Sequence, residues 1–131
     1  MDKSNVDDFQ TQVSELLIRH RSVLDVMSKV QETASRINRS LTKAITECGC
    51  VEVVAKKQTY DASKNLEENK FHLDTHFNGP LCEHCRDVVT AELGKNLFYL
   101  TALCNITDIK LKDVLQKESD RLHTLGVFNL S

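Results

Sequence analysis

A chain of 131 residues with 40% apolar but only 5% aromatic content, and no tryptophan, can build one domain whose core rests on Leu, Ile, Val and Ala. Its formal charge of −2 supplies no basic excess to neutralise phosphates, and Lys56–Lys57 is too short a run to change that, which argues against a nucleic-acid binder. No apolar stretch approaches the ~20 residues of a membrane span, and the charged start (Asp2, Lys3, Asp7, Asp8) is unlike a signal peptide, so the expectation is a cytoplasmic protein with reduced thiols and no membrane partner.

The apolar or small residues Val6, Phe9, Val13, Leu16, Val23, Met27, Val30, Ala34, Ile37, Leu41 and Ala44 recur in alternating steps of three and four, with His20 in the vacant slot. A histidine there reads as a seam residue with a hydrogen bond. Ser4 and the acids Asp7 and Asp8 suit the helix start. Read as one helix of roughly 40 residues, this stretch would be about 60 Å long, more than a domain of this size covers. Either it breaks near Arg19–Ser22 or a second subunit covers the rest. A homodimer through this heptad helix is the preferred expectation.

Gly49 is placed to end the helix in a left-handed conformation at Glu47–Cys48. Val51–Ala55 is β-branched enough for a short extended segment, 56–63 is polar loop, and Leu66, Phe71, Leu73 and Phe77 suggest a short helix over Ser63–His76. Asn78-Gly79-Pro80 is the clearest turn. From Leu81 a helix resumes, with Val88, Val89, Leu93, Leu97, Leu100, Leu103 and Cys104 as a broad apolar stripe; here Cys104 reads as a small buried hydrophobe. Thr107 or Asp108 can cap a last helix carrying Leu111, Val114, Leu115, Leu122 and Leu125, which stops at Gly126; Phe128 and Leu130 are expected to pack back. The architecture implied is all-α, a single domain over 1–131: a long helix or helix pair (1–48), an irregular middle segment (49–80) and a C-terminal helical hairpin (81–131).

Two cysteine pairs punctuate this plan. Cys48-Gly49-Cys50 ends the first helical part, and Cys82-Glu83-His84-Cys85 opens the next. If the flanking helices are antiparallel neighbours, four thiolates converge at one end of the bundle as the ligand set of a closed tetrahedral zinc site. A helix N-terminus also favours the thiolate that a metal needs. His84 and His76 are substitute ligands. An iron–sulfur cluster, a redox Cys-x-x-Cys pair and unliganded or disulfide-bonded cysteines are the alternatives.

Glu92-Leu-Gly-Lys-Asn-Leu-Phe-Tyr-Leu, continuing through Asn105-Ile-Thr-Asp to Val114-Leu, resembles the third helix, short link and fourth helix of the MazG-like, all-α nucleoside triphosphate pyrophosphohydrolases. Met27 to Leu41 resembles a weak version of their second helix. The resemblance covers roughly 70 residues, about 30 of them closely, and implies a dimeric or higher-order MazG-like helical bundle. In that family, Glu-x-x-Glu and Glu-x-x-Asp pairs on adjacent helices hold Mg²⁺ against a triphosphate; the i, i+3 spacing puts each pair on one face. Here Glu32 and Glu92 match one acid of each pair, but the partner positions are Ser35 and Lys95. A hard cation would lose charge compensation and meet an ammonium. Glu83 and Asp87 are i, i+4 and do not restore the motif, and the cysteine pairs are outside the family's usual pattern. The expectation is therefore a non-catalytic MazG-like protein with a cysteine-bound structural metal. It would bind a nucleotide in a remnant cleft, or another protein. An active Mg²⁺-dependent pyrophosphohydrolase and a thiol or metal sensor are the competing readings.

Overall fold

The structure, a computed structural model, describes residues 3–18, 21–70 and 73–127. The chain is all-α in class: helices α1 (Lys3–Leu16), α2 (Val23–Lys43), α3 (Leu66–Lys70), α4 (Glu83–Ile106) and α5 (Leu111–Val127), with two-residue strands β1 (Glu52–Val53) and β2 (Phe77–Asn78) between them. A five-residue π-helical turn, Ala44–Cys48, extends α2.

The N-terminal heptad stretch takes the two-helix form. α1 ends at Leu16, and Ser22, in extended conformation, caps α2 by accepting from the Leu24 N–H. Ser4 lies inside α1, so it is not the residue before the helix; His20, Phe71, Phe128 and Leu130 lie outside the described residues. α2 pairs with α4, and α1 packs on α4 and α5. The first core cluster joins Val13, Leu17, Val26 and Ala102, flanked by Phe9, Phe98, Tyr99 and Leu103. Leu17 replaces the expected Leu16, which is exposed.

The seam between α2 and α4 is also rotated from the apolar pattern. Val26, Thr33, Ser40 and Ala44 are buried along α2, whereas Val23, Met27 and Ala34 are exposed. Two hydroxyls can sit there because each satisfies itself on its own helix: Thr33 Oγ1 donates to Lys29 O at 2.7 Å and Ser40 Oγ to Ile37 O at 2.7 Å. Asn96 of α4 reaches across, donating to Val30 O and Thr33 Oγ1. α4 buries Cys85, Val89, Thr101 and Ala102, and it exposes the expected stripe members Val88, Leu93, Leu97 and Leu100; Cys104 is half-buried.

The last helix is capped from elsewhere in the chain. Gln10 Oε1 accepts from the Leu111 N–H at 2.8 Å, and its Nε2 donates to Asn105 Oδ1 and Ile109 O, both at 2.9 Å. Asn105 Nδ2 returns a bond to Gln10 O. Thr107 instead turns back on α4, donating to Leu103 O, and Asp108 takes φ +58° in the link.

The middle segment has a polar centre of its own. α3 is shorter than the expected helix, with Asn65 Oδ1 accepting from the Glu68 N–H. Asn69 is fully buried: its Nδ2 donates to the carbonyls of Asp61, Lys64 and Asn65, and its Oδ1 accepts from the Asp61 N–H. Gln58 brackets the Asp74 backbone in the same way. Among the described residues, no helix is long and apolar enough to cross a membrane.

Candidate metal centre

Four local features bring the cysteine pairs to one place. The π-helical turn adds a residue to the last turn of α2, and Gly49, left-handed at φ +76°, closes it by donating to Ala44 O at 2.9 Å. β1 and β2 pair antiparallel, Glu52 opposite Asn78 and Val53 opposite Phe77, so the two ends of the middle segment return to the same point. Gly79 then turns the chain at φ +99°; a Cβ there would lie 3.0 Å from Cys50 O. Beneath the turns, Ala44, Val51 and Cys85 form a second buried cluster with Ile45, Phe77 and Leu81 against it.

The Sγ atoms of Cys48, Cys50, Cys82 and Cys85 lie within 4.8 Å of one another, and all four are free thiols. Cys48 and Cys82, from opposite pairs, are 3.9 Å apart. An ion with metal–sulfur bonds of about 2.3 Å spaces tetrahedral sulfurs about 3.8 Å apart, so these four thiols form a geometry that could hold a metal ion. Among the described residues the group consists of the cysteines alone; the structure does not bring His76 or His84 into it.

Cys82 is the N-cap of α4, its sulfur accepting from the Cys85 N–H at 3.4 Å. That backbone bond, reinforced by the Cys85 thiol, lowers the Cys82 thiol to about 7. Cys85 donates to the Cys82 sulfur and is buried, and it is pushed up to about 12. In the bare cluster Cys82 ionises easily, and its sulfur, by accepting the Cys85 hydrogen bond, holds the Cys85 thiol protonated. A cation removes that opposition, which is the electrostatic demand of a four-thiolate site.

The acids singled out by the resemblance occupy ion pairs. Glu32 binds Lys29 and Arg36, each at 2.9 Å, and hydrogen bonding and charge from Lys29, then Arg36, hold its carboxyl below the usual range. Glu92 Oε1 faces Lys95 at 3.4 Å, while its Oε2 is buried with no hydrogen-bond partner among the described residues. The π-helical turn and the Gln10 cap escape sequence reading, because neither leaves a periodic or compositional signal.

Comparison of the chain with protein-family models, with curated proteins and with solved structures returns no match.

Proposed function

We propose that this chain is a helical binding protein whose middle segment is stapled to the α2–α4 pair by one structural zinc ion held by Cys48, Cys50, Cys82 and Cys85. The carrying observation is the convergence of four free thiols within 4.8 Å. Zinc fits an all-thiolate tetrahedron, and the spacing suits a single ion better than an iron–sulfur cluster, whose iron and sulfide atoms hold their thiolates farther apart. The role is structural because all four positions are filled by protein ligands and none is left open for substrate.

The MazG-like resemblance enters here as a proposal for ancestry, with the hydrolytic reaction lost. Support comes from Glu32, whose two oxygens are taken by Lys29 and Arg36, and from the ammonium of Lys95 beside Glu92. Each cation occupies charge that a magnesium ion would need. A homodimer is part of the same reading. With the N-terminal stretch broken into α1 and α2, helix length no longer argues for a partner; the exposed apolar faces are what support one. Leu93, Leu97 and Leu100 of α4 are exposed, and α5 is exposed from Asp113 to Thr124, including Val114, Leu115 and Leu122. A 17-residue helix exposed from Asp113 to Thr124 gains little from tertiary packing, and a second copy would supply it.

Metal content of the reduced, untagged protein, measured beside hydrolysis of a panel of nucleoside triphosphates with Mg²⁺ or Mn²⁺, tests this reading. About one zinc per chain and no pyrophosphate release are expected. Iron with sulfide, or metal-dependent pyrophosphate release, would replace it.

A further inference from the structure

A purely structural role leaves one property of the cysteine cluster unexplained: its four thiols differ in access. Cys48 is exposed, Cys50 and Cys82 are half-buried, and Cys85 is buried against Ala44 and Val51. Structural cysteines are ordinarily inert because they are buried, and Cys48 is not. A Cβ at Gly49, the next residue, would meet nothing within 4 Å among the described residues, so the space beside Cys48 is open. The Cys48 sulfur also lies 3.9 Å from that of Cys82, 34 residues further along the chain. A disulfide needs about 2.05 Å, so the two sulfurs have about 2 Å to close. Cys48 ends a π-helical turn beside that open glycine, where a small shift meets no neighbour. An accessible thiolate beside a second one is the arrangement of a peroxide-reactive cysteine with its resolving partner.

We propose that the centre is a redox switch: a peroxide oxidises Cys48, Cys82 resolves it as a disulfide, and the zinc ion is released. The switch rests on the four-thiolate zinc site proposed above and adds its regulation. Bound to metal, Cys48 is already a thiolate. Its sulfur attacks one oxygen of hydrogen peroxide; the S–O bond forms, the O–O bond breaks, and hydroxide leaves and takes a proton to become water. The Cys82 thiolate then attacks the Cys48 sulfur, so the S–S bond forms, the S–O bond breaks, and a second hydroxide leaves as water. The two sulfurs are oxidised and the peroxide is reduced, by two electrons in all. Cys50 and Cys85 alone are too few ligands to hold the ion, and each takes up a proton as it departs. The disulfide joins the same chain ends as the ion did, so oxidation frees the zinc while the middle segment stays tied between α2 and α4.

Zinc content of the reduced full chain, measured first, tests the zinc site alone. The zinc-loaded chain is then titrated with hydrogen peroxide, with released zinc followed by a chromogenic chelator and disulfides mapped by peptide mass. About one equivalent of peroxide should release about one zinc per chain and form the Cys48–Cys82 disulfide. A dithiol reductant with added zinc should restore the starting content. Cys48→His keeps a fourth zinc ligand but leaves Cys82 without a disulfide partner at that position, and it should slow release by at least about tenfold. Cys104→Ser, outside the cluster, should release zinc at the parent rate. The parent's own disulfide map decides the matter even where C48H holds no zinc. Zinc retained by the parent through about ten equivalents of peroxide, or a disulfide that leaves out Cys48 or Cys82, such as Cys82–Cys85, would overturn the switch and leave the zinc site standing. A reduced chain that carries no zinc would remove both.

Discussion

The two ends of the α2–α4 pair solve the same problem by different chemistry. At one end, Ala44, Val51 and Cys85 make a core too small to fix a middle segment of some thirty residues, and four thiols converge beside it. At the other, Gln10 and Asn105 tie α1, α4 and α5 together through amide hydrogen bonds. Amides need no ion and no ionisation, so that junction should hold in any buffer. Under the proposed reading, the cysteine end depends on protons and metal. A chain with few aromatic side chains thus anchors its connections with polar or ionic points, one unconditional and one conditional.

The comparison can be broken at either end. The largest effect is expected from Cys85→Ser, which removes a buried ligand. Under the proposal it forfeits a sizeable part of the roughly 10–16 kcal/mol that structural zinc supplies in small domains. Residues 50–81 should become cleavable by protease while α1, α4 and α5 stay protected. Uniform protection would count against a staple. Gly79→Ala comes next: a left-handed backbone at φ +99° and a contact 3.0 Å from Cys50 O should cost about 1–3 kcal/mol and weaken metal retention. Thermal melting with and without added zinc measures both. Gln10→Ala should cost about 1–2 kcal/mol and free the start of α5, leaving metal content unchanged. Loss of metal in that variant would show that the two ends are coupled.

The smallest effect concerns protons. In the metal-free chain, Cys82 is thiolate above about 7, whereas Cys85 stays protonated up to about 12. Alkylation at about pH 8 should therefore select Cys82 over Cys85, and it should fade as the pH falls below about 7 because the thiolate is then reprotonated. With metal bound, acidification acts in the same direction, returning protons to the thiolates and releasing the ion. Peptide mapping of the alkylated chain gives the order of reaction; Cys85 reacting first would reverse the assignment.

What could be read from sequence followed the strength of each physical signal. The cysteine spacing, the turn at Gly79 and the helix stop at Gly49 rest on residue types with few alternative uses, and the structure brings all of them to one place. The heptad pattern found the helices but placed the α2 seam one residue off, at Ala34 rather than Thr33 and at Leu41 rather than Ser40. Hydroxyls that bond back to their own helix are compatible with burial yet invisible to an apolar count. On α4 the same count chose the Leu93–Leu97–Leu100 face, while Glu92 and Asn96 face α2 or its groove. Asn69 and Gln10 were illegible for a plainer reason. Gln10's partners at Asn105, Ile109 and Leu111 come from the far end of the chain, and Asn69 bonds within its own loop, to Asp61, Lys64 and Asn65, in a geometry that residue type alone does not mark.

The most direct test of the staple is hydrogen exchange of residues 50–81 in the purified protein, before and after removal of metal by a chelator under reducing conditions. The account predicts protection that is lost with the metal and restored by adding zinc, with amides around Gln10, Asn105 and Leu111 unchanged throughout. Equal protection of residues 50–81 with and without metal would contradict it.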